Sequence, residues 1–204
     1  MKVDVLEKND YGIKFSLQGI TPAFANSLRR IMVSEVPTMA IEWVDFKKNS
    51  SALPDELLAN RLGQIPLTFD KKAYDLPSDC KCEGKGCSRC QVELVLKKKG
   101  PGMVYSGDLK SKDKDVQPVF DKIPVVELFE GEEMQFEAVA QLGLGKNHVK
   151  WQAAVVGYKY DNNNNFVFDV ESVCGLKAEE VVAVAAEVLK EKSGLFGKEL
   201  KKLK

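Results

Sequence analysis

The chain has 204 residues, enough to bury a substantial core, and is long for one small domain but short for two large ones. With 44% hydrophobic and 29% charged residues and no apolar run of bilayer length, it reads as globular, neither disordered nor membrane-spanning. Lys+Arg and Asp+Glu number 30 each, a balance that argues against a dedicated nucleic-acid binder and against direct sequence-specific DNA binding.

The opening MKVDVLEKND carries charges where a signal peptide needs an apolar segment, so a cytoplasmic location is expected. Tyr11, Ile13, Phe15 and Leu17 alternate with Gly12, Lys14, Ser16 and Gln18, which predicts a half-buried strand with residues 3–6 as its hairpin partner. Residues 21–36 predict an amphipathic helix. Thr21 can cap its first free N–H groups, Pro22 suits the first helical position, and Pro37 ends it at Val36. Phe24, Leu28 and Ile31 form one apolar edge, widened by Ala25, Met32 and Val36. Arg29 and Arg30 stand adjacent on the thin polar side, a surface suited to contact rather than to plain solvation.

The middle of the chain is strand-rich. Residues 41–46 predict a strand, and 54–62 a short helix with Asp55 and Glu56 in its first turn. Ile65, Pro66 and Leu67 read as core packing. After a cysteine cluster come a strand at 92–96, a Gly100-Pro101-Gly102 turn, and strands at 125–129 and 134–141 joined through Gly131. Gly143-Leu144-Gly145 closes this module. Residues 149–160 and 166–173 then predict two strands, with Phe166, Phe168 and Val170 on one face. Asp161 and Asn162 to Asn165 connect them, asparagine tolerating the left-handed conformations of tight turns. A helix is predicted over 178–192, with Val181, Val182, Ala185, Val188 and Leu189 as its stripe, Gly194 as its stop and 198–204 as a solvated end.

Cys80, Cys82, Cys87 and Cys90 form a Cys-x-Cys-x4-Cys-x2-Cys pattern inside DCKCEGKGCSRC. Four thiolates in so short a loop can surround one ion tetrahedrally, as in closed structural zinc sites, and leave no open position for catalysis. Gly84 and Gly86 let the loop fold back, and Lys81, Lys85 and Arg89 offset the charge of a tetrathiolate. An iron–sulfur cluster, a redox dithiol and four idle thiols are the competing readings, although the ferredoxin spacing is absent. Cys174 stands alone and reads as a small buried side chain rather than a reactive thiol. His148 is the single histidine and reads as a turn residue. With no nucleophilic triad, phosphate loop or paired metal carboxylates in the sequence, no catalytic residue is assigned.

Three segments carry a resemblance. Ala25-Asn26-Ser27-Leu28-Arg29-Arg30-Ile31 with Ser34-Glu35-Val36-Pro37 and Ala40-Ile41-Glu42, then Arg61-Leu62-Gly63-Gln64-Ile65-Pro66-Leu67, then Val149-Lys150-Trp151-Gln152 with FVFDVESVCG over 166–175, resemble hallmarks of the α-like subunits of multisubunit RNA polymerases. That family comprises bacterial α, the eukaryotic third-largest subunit and their archaeal counterpart, and the archaeal form fits best. The resemblance implies an α+β fold: a discontinuous dimerisation domain of strands and amphipathic helices from residues 1–38 and 150–204, and an inserted strand-rich domain over 39–149 carrying a zinc loop. It implies a non-catalytic assembly subunit of a DNA-directed RNA polymerase that pairs with the smaller α-like subunit L and organises the large subunits and small subunits N and P. Phe24, Leu28, Arg29, Arg30, Ile31, Val181, Ala185, Val188 and Leu189 are then the expected partner-binding residues. Comparable zinc loops occur in some family members, which supports structural zinc at Cys80, Cys82, Cys87 and Cys90. Many archaeal relatives insert a ferredoxin-like domain where this chain has only residues 161–165, so no iron–sulfur cluster is expected here.

Overall fold

In the computed structural model, which describes residues 1–161 and 164–203, the first helix starts and stops as its end residues dictate. Asn162, Asn163 and Lys204 lie outside the described residues, and with them part of the expected turn and of the expected solvated end. α1 (Pro22–Ser34) is opened by Thr21, whose hydroxyl accepts the Phe24 N–H at 3.2 Å, with Pro22 at the first position. The Glu35 N–H closes the helix by donating to Ile31 O at 2.9 Å, just ahead of Pro37.

The chain forms two compact units, one of Met1–Pro37 with Leu144–Lys204 and one of Thr38–Gly143. In the first, β1 (Lys2–Lys8), β2 (Gly12–Gln18), β9 (Ala154–Tyr160) and β10 (Phe166–Ser172) make an antiparallel sheet in the order β1-β2-β10-β9. Asn9 shapes the first hairpin, its Oδ1 accepting the N–H groups of Tyr11 and Gly12 at 3.0 and 2.6 Å. The β9–β10 connection is tied by the Asp161 carboxylate, which accepts the Asn165 N–H at 3.0 Å, and Asn164 takes φ 56°. Phe15 lies opposite Phe168 across β2 and β10, and their rings stack at 5.1 Å. α1 and α3 (Ala178–Lys202) pack against this sheet, burying Ala25, Leu28, Ile31 and Met32 from α1 and Val181 and Ala185 from α3. Each of the larger side chains so buried contributes about 1.5–3 kcal/mol. Lys192 then reaches the Glu35 carboxylate at 2.7 Å, an exposed pair of small energetic weight that fixes α3 beside the end of α1.

The second unit is built on a sheet in the order β3-β8-β4-β6, from β3 (Thr38–Asn49), β8 (Glu133–Gly143), β4 (Gln91–Lys99) and β6 (Lys110–Ser111). β4 alternates along its length: Val92, Leu94 and Leu96 turn inward, while Glu93, Val95 and Lys97 turn outward. α2 (Asp55–Gly63) adds Leu58 and Leu62 to this core, followed by buried Ile65 and Leu67. β5 (Gly102–Tyr105) and β7 (Pro124–Leu128) form a separate ladder. Although β7 and β8 are consecutive, they belong to different sheets.

Two sequence expectations are corrected. Residues 149–160 are not one strand: Val149–Trp151 form a 3-10 turn, capped by the His148 ring nitrogen that accepts the Lys150 N–H at 3.1 Å, and β9 begins only at Ala154. α3 does not stop at Gly194 but continues through Gly194 and Gly197 to Lys202. A glycine inside a helix costs about 1 kcal/mol, too little to break one whose first turns are buried. The short strands β5 and β6 fall in a stretch where the turn signals dominate the sequence.

Gly145 sits where the chain returns to α1. A Cβ there would lie 2.7 Å from Val33 O and 3.1 Å from Ser34 Cα, beside the Lys146 N–H that donates to Ser34 O at 2.9 Å. Both close neighbours are backbone, so Gly145→Ala is expected to destabilise this unit by about 1–3 kcal/mol. Chemical denaturation of the variant checks this; an unchanged midpoint would contradict the close approach.

Candidate metal centre and docking groove

Residues 70–90 contain neither helix nor strand, and their shape comes from turns and one pinned neck. Asp75 and Arg89 form the neck: the Asp75 N–H donates to Arg89 O at 2.7 Å, and the Arg89 guanidinium donates to both Asp75 oxygens at 3.0 and 3.3 Å. Arg89 holds the Asp75 carboxyl below the usual carboxylate range. Tyr74, just before the neck, donates its hydroxyl to Asp113. Gly84 at φ 78° and Gly86 at φ 87° supply left-handed steps that turn the loop back, and Glu83 takes a third at φ 55°.

The result is that Cys80, Cys82, Cys87 and Cys90 converge, with all four sulfurs within 4.8 Å of one another. Cys80 and Cys87 are 3.5 Å apart, Cys82 and Cys90 3.5 Å, and Cys87 and Cys90 3.8 Å. An ion about 2.3 Å from each of four tetrahedral sulfurs requires them roughly 3.8 Å apart. The donor set and its spacing therefore fit zinc. The Cys87 N–H also donates to Cys90 Sγ at 3.3 Å, the kind of bond that supports a thiolate. Burial pushes the Cys90 thiol up to about 12, whereas hydrogen bonds from Cys80 and Cys90 outweigh the effect of burial on Cys82 and bring it down to about 7. Cys174 is elsewhere: burial pushes its thiol up and Leu176 N–H donates to it at 3.4 Å, so it is a poor nucleophile.

The residues expected to meet a partner divide sharply. Leu28, Ile31, Val181 and Ala185 are at most 5% exposed and pack inside their own unit, so their helical periodicity reports internal core. Phe24 remains 36% exposed, and Val188 and Leu189 are half-buried. Arg29 is held along α1 by Asn26, whose side-chain oxygen accepts from Nε and Nη2 at 3.3 Å each, while Arg30 is exposed.

What the structure adds is a groove of about 640 Å³ on the first unit. Its floor is Val3 and Val5 of β1 with Ile13, Phe15 and Leu17 of β2. Phe24 and Leu28 of α1 form one wall, and Val182, Ala186 and Leu189 of α3 the other. Val3 and Val5 are 54% and 60% exposed, an apolar strand face left to water. Their i, i+2 spacing is a signal of that face, but flanking charges in KVDVLEK hide it. No helix among the described residues is long and apolar enough to cross a membrane.

A family model described as the RNA polymerase Rpb3/Rpb11 dimerisation domain matches residues 14–193. The chain is 48% identical over 166 residues to DNA-directed RNA polymerase subunit Rpo3 of Methanosphaera stadtmanae, covering 78% of this chain and 61% of that protein. It is 46% identical over 184 residues to subunit Rpo3 of Methanosarcina acetivorans, covering 88% and 68% respectively. Against subunit Rpo3 of Methanothermobacter thermautotrophicus it is 42% identical over 198 residues, 95% of this chain and 73% of that one. The chain thus spans between three fifths and three quarters of the length of these relatives.

Proposed function

The chain belongs to the RNA polymerase Rpb3/Rpb11 dimerisation-domain family, and on that premise we propose that it is a non-catalytic assembly subunit of an archaeal-type multisubunit DNA-directed RNA polymerase. The unit made from both chain ends is the dimerisation domain and pairs with the smaller α-like subunit L. The heterodimer then seats the large subunits and the small subunits N and P, in the cytoplasm. The unit Thr38–Gly143 is an inserted domain whose cysteine loop is held by structural zinc. Zinc there supplies a cross-link; with four protein thiolates as ligands it has no open position for a substrate, and no iron–sulfur cluster is needed. Nucleotidyl transfer takes place on a large subunit, and this chain contributes the geometry that sets the large subunits apart.

The observation that carries this reading is the open apolar groove between α1 and α3, in a chain matched over most of its length by a dimerisation-domain family. A sheet face with Val3 and Val5 in water is costly for a monomer and suits a surface that a second chain covers. Co-expression with a candidate subunit L, followed by mass measurement, is expected to give a one-to-one heterodimer. A well-behaved monomer that ignores L would overturn the proposal.

The arginines of α1 serve the next step of assembly. Arg29→Ala combined with Arg30→Ala is expected to leave pairing with L intact and to reduce capture of the large subunits by tenfold or more, at about 1.5–3 kcal/mol per lost charge-assisted contact. Recovery of intact polymerase by the double variant at wild-type yield would remove this role.

A further inference from the structure

The four loop cysteines are not equally reachable. Cys80 and Cys90 are buried, whereas Cys87 is half-buried and alone of the four lines an open cleft of about 810 Å³ within the second unit. Glu93 of β4 and Lys112, Lys114 and Asp115 beyond β6 line the same cleft. A cleft so rich in charge admits a small polar solute from water and disfavours an apolar one. Behind Cys87 lies Cys80 at 3.5 Å between sulfurs and Cys90 at 3.8 Å, while Cys82 and Cys90 are 3.5 Å apart. Sulfurs this close reach bonding distance by small side-chain rotations. The pairs Cys80–Cys87 and Cys82–Cys90 are the closer ones and together use all four thiols. Joining Cys87 to Cys90 instead would leave Cys80 and Cys82, whose bridge would close a cramped ring over the single residue Lys81.

Resting on the structural-zinc reading above, we infer that this loop is a peroxide-sensitive metal site, in which hydrogen peroxide entering the cleft oxidises Cys87, Cys87 bonds to Cys80, and the ion is released. The Cys87 thiolate attacks one peroxide oxygen; the O–O bond breaks, hydroxide leaves, and Cys87 carries a sulfenic acid. The Cys80 thiolate then attacks the Cys87 sulfur; the S–O bond breaks, a second hydroxide leaves, and the Cys80–Cys87 disulfide remains. The pair of thiolates has given two electrons to one peroxide. A neutral disulfide is a poor ligand, so the ion keeps only the thiolates of Cys82 and Cys90 and its closed tetrahedral set is lost. A second peroxide joins Cys82 to Cys90 by the same steps. Because the two bridges cross along the sequence, the sulfurs stay gathered, and reduction by a dithiol restores a set ready for zinc. Cys174 belongs to the other unit and takes no part.

The test treats the full zinc-loaded chain with hydrogen peroxide, follows zinc with a chromophoric chelator, and maps disulfides by mass spectrometry of its peptides. Zinc is expected to leave with about two equivalents of peroxide consumed per ion, and the Cys80–Cys87 bridge to accumulate before the Cys82–Cys90 bridge. Dithiothreitol followed by zinc is expected to restore the starting metal content. Lys114→Trp adds bulk to the cleft and replaces no ligand; with its fold verified by circular dichroism, it is expected to slow release at least about threefold. Cys174→Ser is expected to release zinc within about twofold of the wild-type rate. Zinc retained in excess peroxide would overturn the inference and leave structural zinc standing. Release with Cys87–Cys90 as the first bridge, with sulfinic acids and no bridge, or at an unchanged rate in Lys114→Trp would also overturn it. A full chain that holds no zinc before any oxidant is added strikes the metal reading itself, and the peroxide step falls with it.

Discussion

Chelation of the metal that Cys80, Cys82, Cys87 and Cys90 are arranged to hold is expected to open the loop at residues 76–90 to trypsin while leaving the sheet of the same unit folded. The loop has no helix or strand, and its polar neck between Asp75 and Arg89 is an exposed ion pair of small energetic weight. Only Cys80 and Cys90 among the loop cysteines are buried. Site formation in zinc-finger peptides contributes on the order of 10–16 kcal/mol, far more than the rest of the loop can offer. Cleavage is expected after Lys81, Lys85 and Arg89, which lie on the turns themselves. The cluster of Leu94, Phe136, Leu58 and Leu62 is independent of the thiols and should hold the far-ultraviolet spectrum unchanged. Because each thiol must lose its proton to bind, metal retention is expected to weaken as pH falls. Elemental measurement should return one zinc per chain in colourless protein, and Cys90→Ser should lose it. Trypsin resistance unchanged after complete metal removal would refute the structural role, and stoichiometric iron would refute the identity of the ion.

How far the sequence reaches depends on whether the signal is local. Thr21, Pro22 and Pro37 define α1 from neighbouring residues alone, and the structure departs from that reading by two residues at one end. The cysteine convergence is equally legible, because spacing and two glycines suffice to bring four thiols together. By contrast, the pairing of β2 with β10 joins residues some 150 positions apart, and nothing in either strand names the other. The end of α3 is hidden because Gly194 and Gly197 are helix-weakening residues, yet the helix continues through both to Lys202. Helical periodicity also cannot say who covers a stripe. Leu28 and Val181 share one with Phe24 and Leu189, yet the first pair is at most 5% exposed while Phe24 and Leu189 keep more of their surface in water.

That division yields the sharpest expectation for the groove. Leu28→Ala is expected to lower the stability of the isolated chain by about 2–5 kcal/mol, since Leu28 is 5% exposed and its removal leaves a cavity between α1 and the sheet. Phe24→Ala, one turn earlier on the same helix and 36% exposed, is expected to cost the isolated chain under about 1 kcal/mol. In the proposed complex with subunit L the order is expected to reverse. An aromatic side chain at the rim of an apolar groove is the type that anchors interfaces, so Phe24→Ala should weaken pairing by about 2 kcal/mol, roughly thirtyfold. Replacing the neighbouring floor residue by Val5→Asp should weaken pairing strongly, because the carboxylate would be buried beside the apolar side chains of Val3, Ile13, Phe15 and Leu17 on the groove floor. Denaturation of the isolated chain and titration with L measure the two quantities separately. If Phe24→Ala destabilised the isolated chain as much as Leu28→Ala and left the titration unchanged, the groove would be internal packing and no partner's seat.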